Sequence, residues 1–133
     1  MSKVDSHMSQ VERIVHVVLI DDEPSELSAL TLLLQALGFS VSGFGDPSEA
    51  LAYLAKDRKA DVCICDLRMP KVDGMHTLVE AKRLRPDLPF ILMSGHASDE
   101  EFDEARRKGA AGFLSKPFQP EEVKTLVGQC LRS

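Results

Sequence analysis

The stretch Asp61-Val62-Cys63-Ile64-Cys65-Asp66-Leu67-Arg68-Met69-Pro70 constrains this chain most. An apolar run of strand length leads straight into one carboxylate, Asp66, and the chain then turns away at Met69-Pro70. A run without polar alternation reads as a strand buried on both faces, the condition of a parallel sheet covered by helices. His16-Val17-Val18-Leu19-Ile20 ends the same way in Asp21-Asp22, and Phe90-Ile91-Leu92-Met93 ends in Ser94-Gly95. Open parallel sheets do their chemistry at the carboxyl ends of the strands. The polar groups delivered there are therefore the candidates for function.

Helix signals fill the intervals. Pro24 stands where a helix can start, Leu27, Leu30, Leu34 and Leu37 follow at helical spacing, and Gly38 stops it. Residues 39–44 read as a short strand. Asp46-Pro47-Ser48-Glu49 supplies an N-cap, a proline at the first position and an acid after it, and Ala50, Leu51 and Leu54 form the apolar stripe. Beyond the strand at 61–66 and the loop from Pro70 to Gly74, a third helix shows Met75, Leu78 and Val79 on one face and ends before Pro86. Residues 90–94 form the fourth strand. Ser98-Asp99-Glu100-Glu101 is a capping box opening a helix whose inward stripe is little more than Phe102 and Ala105, so weak anchoring is predicted. Residues 112–115 read as a fifth strand, and Pro120 opens a last helix with Val123, Leu126, Val127, Cys130 and Leu131 inward. Strands alternating with helices in this way predict a single (βα)5 doubly wound parallel sheet with right-handed crossovers.

A length of 133 residues with 44% hydrophobic content suits one domain. Residues 1–10 lack periodicity, and Ser6-His7-Met8 reads as an expression-vector remnant, so the domain is expected over 11–133. A formal net charge of −5 argues against a nucleic-acid surface, which is built mostly from Lys and Arg. The apolar run from Ile14 to Ile20 is far too short to cross a bilayer, and no signal peptide is visible, so no membrane partner is expected. Three cysteines without framework spacing fit a reducing cytoplasm, with Cys63 and Cys65 as core filler on one strand face. His16 and His76 read as structural.

Asp21, Asp22 and Asp66 should crowd one pocket, because their loops lie side by side in such a sheet. Two carboxylates about 4 Å apart repel by roughly 4 kcal/mol at an effective dielectric near 20, so a hard divalent cation is the natural counter-charge. Mg²⁺ prefers oxygen ligands and typically binds through carboxylates plus a phosphate. Lys116 ends the fifth strand at the same edge, where it can pair with Asp66 and then with added phosphoryl oxygens. Ser94 offers a hydroxyl to the same group, and Gly95 permits close backbone approach.

Asp21-Asp22, Asp66, Ser94 and Lys116-Pro117, each at a strand end in this order, resemble the receiver domain of bacterial two-component response regulators. The likeness runs from about Val15 to Leu131. The resemblance implies a flavodoxin-like sheet of order 2-1-3-4-5. It implies that Asp66 is the phosphoacceptor, that Asp22 binds Mg²⁺ (or Mn²⁺) directly with Asp21 its water-mediated neighbour, and that the Arg68 backbone carbonyl is a further ligand. Lys116 and Ser94 would read the phosphoryl group, and Phe113 would be the aromatic that turns inward with Ser94 as the switch. Arg68 and His96, flanking the site, would tune phosphoryl loss, and the Lys116-Pro117 bond would be cis. The donor would be a phosphohistidine on a sensor histidine kinase or a histidine phosphotransfer protein, and phosphorylation would change the face around the fourth helix, fifth strand and fifth helix for partner binding. Such a chain is no enzyme in the ordinary sense, catalysing only its own aspartyl phosphorylation and dephosphorylation.

Two other classes compete. A phosphohydrolase with an aspartyl nucleophile needs a second Asp two residues on, and Arg68 stands there. An unphosphorylated receiver-like interaction module would be signalled by loss of the acidic pair or of Lys116, and both are retained. Ala110-Ala111 replaces acids that many DNA-binding regulators carry before the fifth strand, so a dimer built on those salt bridges is not expected, and a weak homodimer is the self-association left open. Nothing effector-like is read within 11–133, so output is expected from a downstream effector domain or protein.

Overall fold

The computed structural model describes residues 13–57 and 59–132, and the expected vector remnant at 1–10 lies outside them. Strands β1 (His16–Ile20), β2 (Ser40–Phe44), β3 (Val62–Asp66), β4 (Phe90–Ser94) and β5 (Gly112–Ser115) form one sheet in the order β2-β1-β3-β4-β5. Every pairing is parallel. Helices α1 (Pro24–Ala36), α2 (Pro47–Lys56), α3 (Gly74–Leu84), α4 (Asp99–Arg107) and α5 (Pro120–Arg132) make the crossovers. This is the flavodoxin-like (βα)5 arrangement expected from the sequence. β2 and β3 each begin one residue later than read, at Ser40 and Val62. Asp61 caps the sheet instead, its carboxylate accepting the His16 amide at 2.8 Å.

The core lies in two layers set by period-two alternation. Val18, Ile20, Cys63, Cys65, Phe90 and Leu92 point to one face, against Ala50 and Leu54 of α2 and Leu78 and Ala81 of α3. Val17, Leu19, Val62, Ile64, Ile91 and Met93 point to the other, against Leu34 of α1 and Val123 and Val127 of α5. Each large apolar side chain so buried contributes about 1.5–3 kcal/mol, so β3 and β4, buried at every position, fix the centre of the sheet. Burial pushes both strand thiols upward, which suits inert core residues.

Two helices pack differently from the sequence reading. Val79 of α3 is 38% exposed; the buried stripe runs through Met75, Leu78 and Ala81, with Thr77 beside it bonding its hydroxyl to the Asp73 carbonyl at 3.1 Å. In α1 only Leu34 is fully buried, while Leu27 and Leu30, and Leu37 at its C-cap, are half-covered. The weak anchoring of α4 is present: only its Ala105 is buried, and Phe102 lies half-exposed against Phe113 with ring centroids 4.3 Å apart.

Gly74, the first residue of α3, presses against the end of β3. A Cβ there would meet the Asp66 carbonyl oxygen at 2.4 Å, Leu67 Cα at 2.8 Å and Leu92 Cδ2 at 2.9 Å. Gly74→Ala is therefore expected to lower stability by about 2–3 kcal/mol through overpacking. Gly95→Ala, with nothing within 4 Å of its Cβ, should stay within about 1 kcal/mol of the parent. Urea midpoints of the three proteins check this, and equal midpoints would mean that the loop yields freely.

Candidate functional site

The carboxyl ends of the strands converge, and hydrogen bonding of the sheet continues one residue past β1, β3 and β5. The Asp21 amide donates to the Phe44 carbonyl at 3.1 Å, Leu67 to Met93 at 2.8 Å, and Lys116 to Ser94 at 2.8 Å. Side chains at the end of β3 and just after β1 and β5 are thereby held at one edge. Carboxylate oxygens of Asp21, Asp22 and Asp66 lie within 4.8 Å of one another. Lys116 Nζ stands 3.5 Å from Asp66 Oδ2 and 3.8 Å from Asp21 Oδ2, and it bonds to Glu26 of α1. The Lys116-Pro117 bond is cis, as the resemblance implied.

Burial sets the electrostatics. Asp21 is fully buried, and that desolvation, with the Glu26 carboxylate alongside, pushes its pKa up to about 7 against a partial offset from the Glu23 amide. Its Oδ2 has no hydrogen-bond partner among the described residues, since two carboxylates can bond only when one carries a proton. Asp66 is also raised by burial, opposed by Lys116 and by the Arg68 amide that donates to its Oδ1 at 3.3 Å. Glu26 is lowered, by the neighbouring Asp21 carboxyl, which holds the proton of the pair, and then by Lys116. Burial works against the charge on Lys116, yet Glu26, Asp66 and Asp21 outweigh it and its pKa rises.

These residues fit a hard divalent ion: the donors are all oxygen, and a buried, unpartnered Asp21 oxygen faces the cluster. The other candidates sit around this centre in different ways. Ser94 is buried but turned to its own loop, its hydroxyl donating to the His96 carbonyl at 2.9 Å and accepting from the His96 amide at 3.1 Å. His96 thus takes part through its main chain, with an exposed side chain. Phe113 lies on β5 against α4. Arg68 puts its amide on Asp66 while its guanidinium reaches Glu101 of α4 and the His96 carbonyl.

Sequence reasoning missed two residues here. Glu26 looks like an ordinary first-turn helix acid, and nothing local reveals a contact with Lys116, 90 positions away. Glu101 was read as a cap residue, which it is, but its pairing with Arg68 spans 33 positions. An acid one turn into the helix that follows Asp21-Asp22 was the one available hint of Glu26.

Known proteins resemble this chain along most of its length. The sequence profile of the response regulator receiver domain matches residues 17–128. The chain is 33% identical over 116 residues to the transcriptional regulatory protein GlrR of Escherichia coli, covering 87% of this chain and 26% of that protein. It is 39% identical over 107 residues to the C4-dicarboxylate transport transcriptional regulatory protein DctD of Rhizobium meliloti, covering 80% and 23%. It spans about a quarter of the length of these curated relatives. The solved response regulator receiver domain protein of Clostridium thermocellum superposes with a TM-score of 0.84 at 28% identity, over 90% of this chain and 95% of that one.

The raised carboxylates predict a pH dependence. Asp21 holds its proton to about 7 when folded against an ordinary 3.8, so between these values the native state binds more protons than the unfolded one. Metal-free stability should then fall as pH rises across that window, by at most about 1.4 kcal/mol per unit for one proton, and level off above it. Asp66 adds with the same sign. Asp21→Asn is expected to flatten the fall and to exceed the parent in stability at pH 8. Urea unfolding in chelator checks it, and parallel profiles for the two proteins would count against the assignment.

Proposed function

The chain belongs to the response regulator receiver domain family of phosphorylation-dependent signalling switches, and from that premise we propose that Asp66 is the phosphoacceptor. The observation that carries this reading is the Asp66 carboxylate at the end of β3 with Lys116 Nζ 3.5 Å away and two further carboxylates beside it. A carboxylate oxygen of Asp66 attacks phosphorus in line, and the P–N bond of a donor phosphohistidine breaks with its electron pair leaving on the imidazole, which keeps or takes up a proton. Lys116 follows the charge from the carboxylate to the phosphoryl oxygens. Asp22, Asp66 and the Arg68 carbonyl, with Asp21 through water, would hold Mg²⁺ (or Mn²⁺), which when bound would neutralise phosphoryl charge.

Phosphoryl oxygens then compete with the His96 carbonyl for the Ser94 hydroxyl. Withdrawal of Ser94 frees the β4–α4 loop, Phe113 turns inward, and the face of α4, β5 and α5 changes for its partner. Arg68 and His96 flank the route of water to phosphorus and set how long the group lasts; the chain hydrolyses its own acyl phosphate and acts on no other substrate. A sensor histidine kinase or histidine phosphotransfer protein supplies the phosphoryl group, and a downstream effector domain or protein reads it, by analogy with relatives named as transcriptional regulators. A cytoplasmic location follows from such partners, and no helix among the described residues is long and apolar enough to cross a membrane. Self-association beyond a weak homodimer is not part of this reading.

Intact mass after incubation with Mg²⁺ and acetyl phosphate is the test. A gain of one phosphoryl group is expected in the parent, none in Asp66→Asn, and none in either with excess chelator. A parent that binds Mg²⁺ but gains no mass from acetyl phosphate or from any phosphohistidine donor would leave the unphosphorylated interaction module standing.

A further inference from the structure

We infer that Glu101, on α4, is a positioning residue of the Asp66 site, acting through Arg68; the inference rests on the phosphoacceptor reading above. Arg68 is used from both its ends. Its amide donates to Asp66 Oδ1 at 3.3 Å, and its carbonyl is the proposed main-chain donor to the divalent ion. Its guanidinium makes two bonds to the Glu101 carboxylate, each 2.7 Å, and a third to the His96 carbonyl at 3.0 Å. That same carbonyl accepts the Ser94 hydroxyl at 2.9 Å. One side chain therefore ties together the loop after β3, the loop after β4 and the first turn of α4.

The weight of this tie comes from what α4 lacks. Within α4 only Ala105 is buried, so apolar packing holds the helix weakly. A two-pronged Arg–carboxylate pair is among the stronger polar contacts, and the Glu101 side chain is only 26% exposed. On a well-packed helix such a pair would be incidental; here, with Arg68 56% exposed, it adds a fastening to the contacts of Ala105 and of Phe102 with Phe113. The coupling must be reciprocal. Where Glu101 steadies the loop that presents the Arg68 main chain, filling the site steadies α4, and releasing α4 loosens the site.

The capping box makes the two roles of Glu101 separable. Its Oε1 accepts the Ser98 amide at 3.0 Å while Ser98 Oγ accepts the Glu101 amide at 3.1 Å. Glutamine closes a capping box as glutamate does but offers Arg68 no charge. Glu101→Gln thus keeps the helix start and weakens the tie. Glu100→Gln, at an exposed acid in the same turn, serves as the control for net charge.

The experiment measures Mg²⁺ affinity by calorimetry and amide exchange over residues 98–107, with and without Mg²⁺, on the full chain. Glu101→Gln should weaken Mg²⁺ binding about two- to five-fold and speed exchange in α4, with a smaller slowing on adding Mg²⁺. Glu100→Gln should match the parent, and adding Glu101→Gln to Arg68→Ala should cause no further loss. Unchanged affinity and exchange in Glu101→Gln, an equal effect of Glu100→Gln, or additive losses with Arg68→Ala would each overturn the inference while leaving the phosphoacceptor reading intact. A parent that binds no Mg²⁺ would overturn both.

Discussion

The structure turns on a repulsion. Asp21, Asp22 and Asp66 place carboxylate oxygens within 4.8 Å of one another, at the ends of strands whose buried faces are almost wholly apolar. At such distances each pair of ionised carboxylates costs a few kcal/mol even at an effective dielectric of about 20. Packing alone gives no reason to gather them, and Asp21 is fully buried, its Oδ2 without a hydrogen bond among the described residues and 3.8 Å from Lys116 Nζ. The cluster persists because the strands that carry it are fixed by contacts that do not involve it. Positive charge arriving at this edge is stabilised by interactions the fold has already positioned.

That division between a fixed centre and a strained edge determines where a change at Asp66 can travel. β3 and β4 are buried along their whole length, and a close-packed interior yields little. The loops after them are held by polar bonds that can be exchanged: Ser94 to His96, Arg68 to His96, Arg68 to Glu101. Beyond those loops stands α4, with Ala105 buried and Phe102 leaning on Phe113. On the proposed mechanism, new charge at the strand end would meet these exchangeable hydrogen bonds first, and they lead to a helix with a single buried side chain.

The sheet was legible in the sequence because its signal is local. Continuous apolar runs ending in Asp21, Asp66 and Ser94 mark doubly buried strands, and proline and acid pairs mark the helix starts. The convergence of Asp21, Asp22, Asp66 and Lys116 followed from parallel topology alone, since parallel strands bring like ends together. What could not be read was anything decided by side-chain direction across the edge. Glu26 and Glu101 each satisfy a local rule for an acid in a helix's first turn, so the pattern has no residual to explain, yet each also grips a cation far away in the chain. Val79 failed for a related reason: one position from Leu78 is 100° of helix, enough to carry a side chain past the edge of the covered stripe. His96 stood at the right place, but the structure uses its backbone where the sequence displays its ring.

Glu26 changes the account of Lys116. A lysine facing a single acceptor carboxylate would pass directly from carboxylate to phosphoryl oxygen. Here Lys116 is shared at rest among Glu26, Asp66 and Asp21, and Glu26 is the one it hydrogen-bonds. On the proposed mechanism a phosphoryl group reaching Asp66 meets a lysine already engaged, and like charge sets it against the Glu26 carboxylate. Asp21 and Asp66 cannot leave, being buried at the strand ends, whereas the Glu26 side chain is 40% exposed on the first turn of α1 and can rehydrate by rotating outward. On that mechanism the added charge would be relieved by a carboxylate that can turn to solvent, and the lysine would be released to the phosphoryl group.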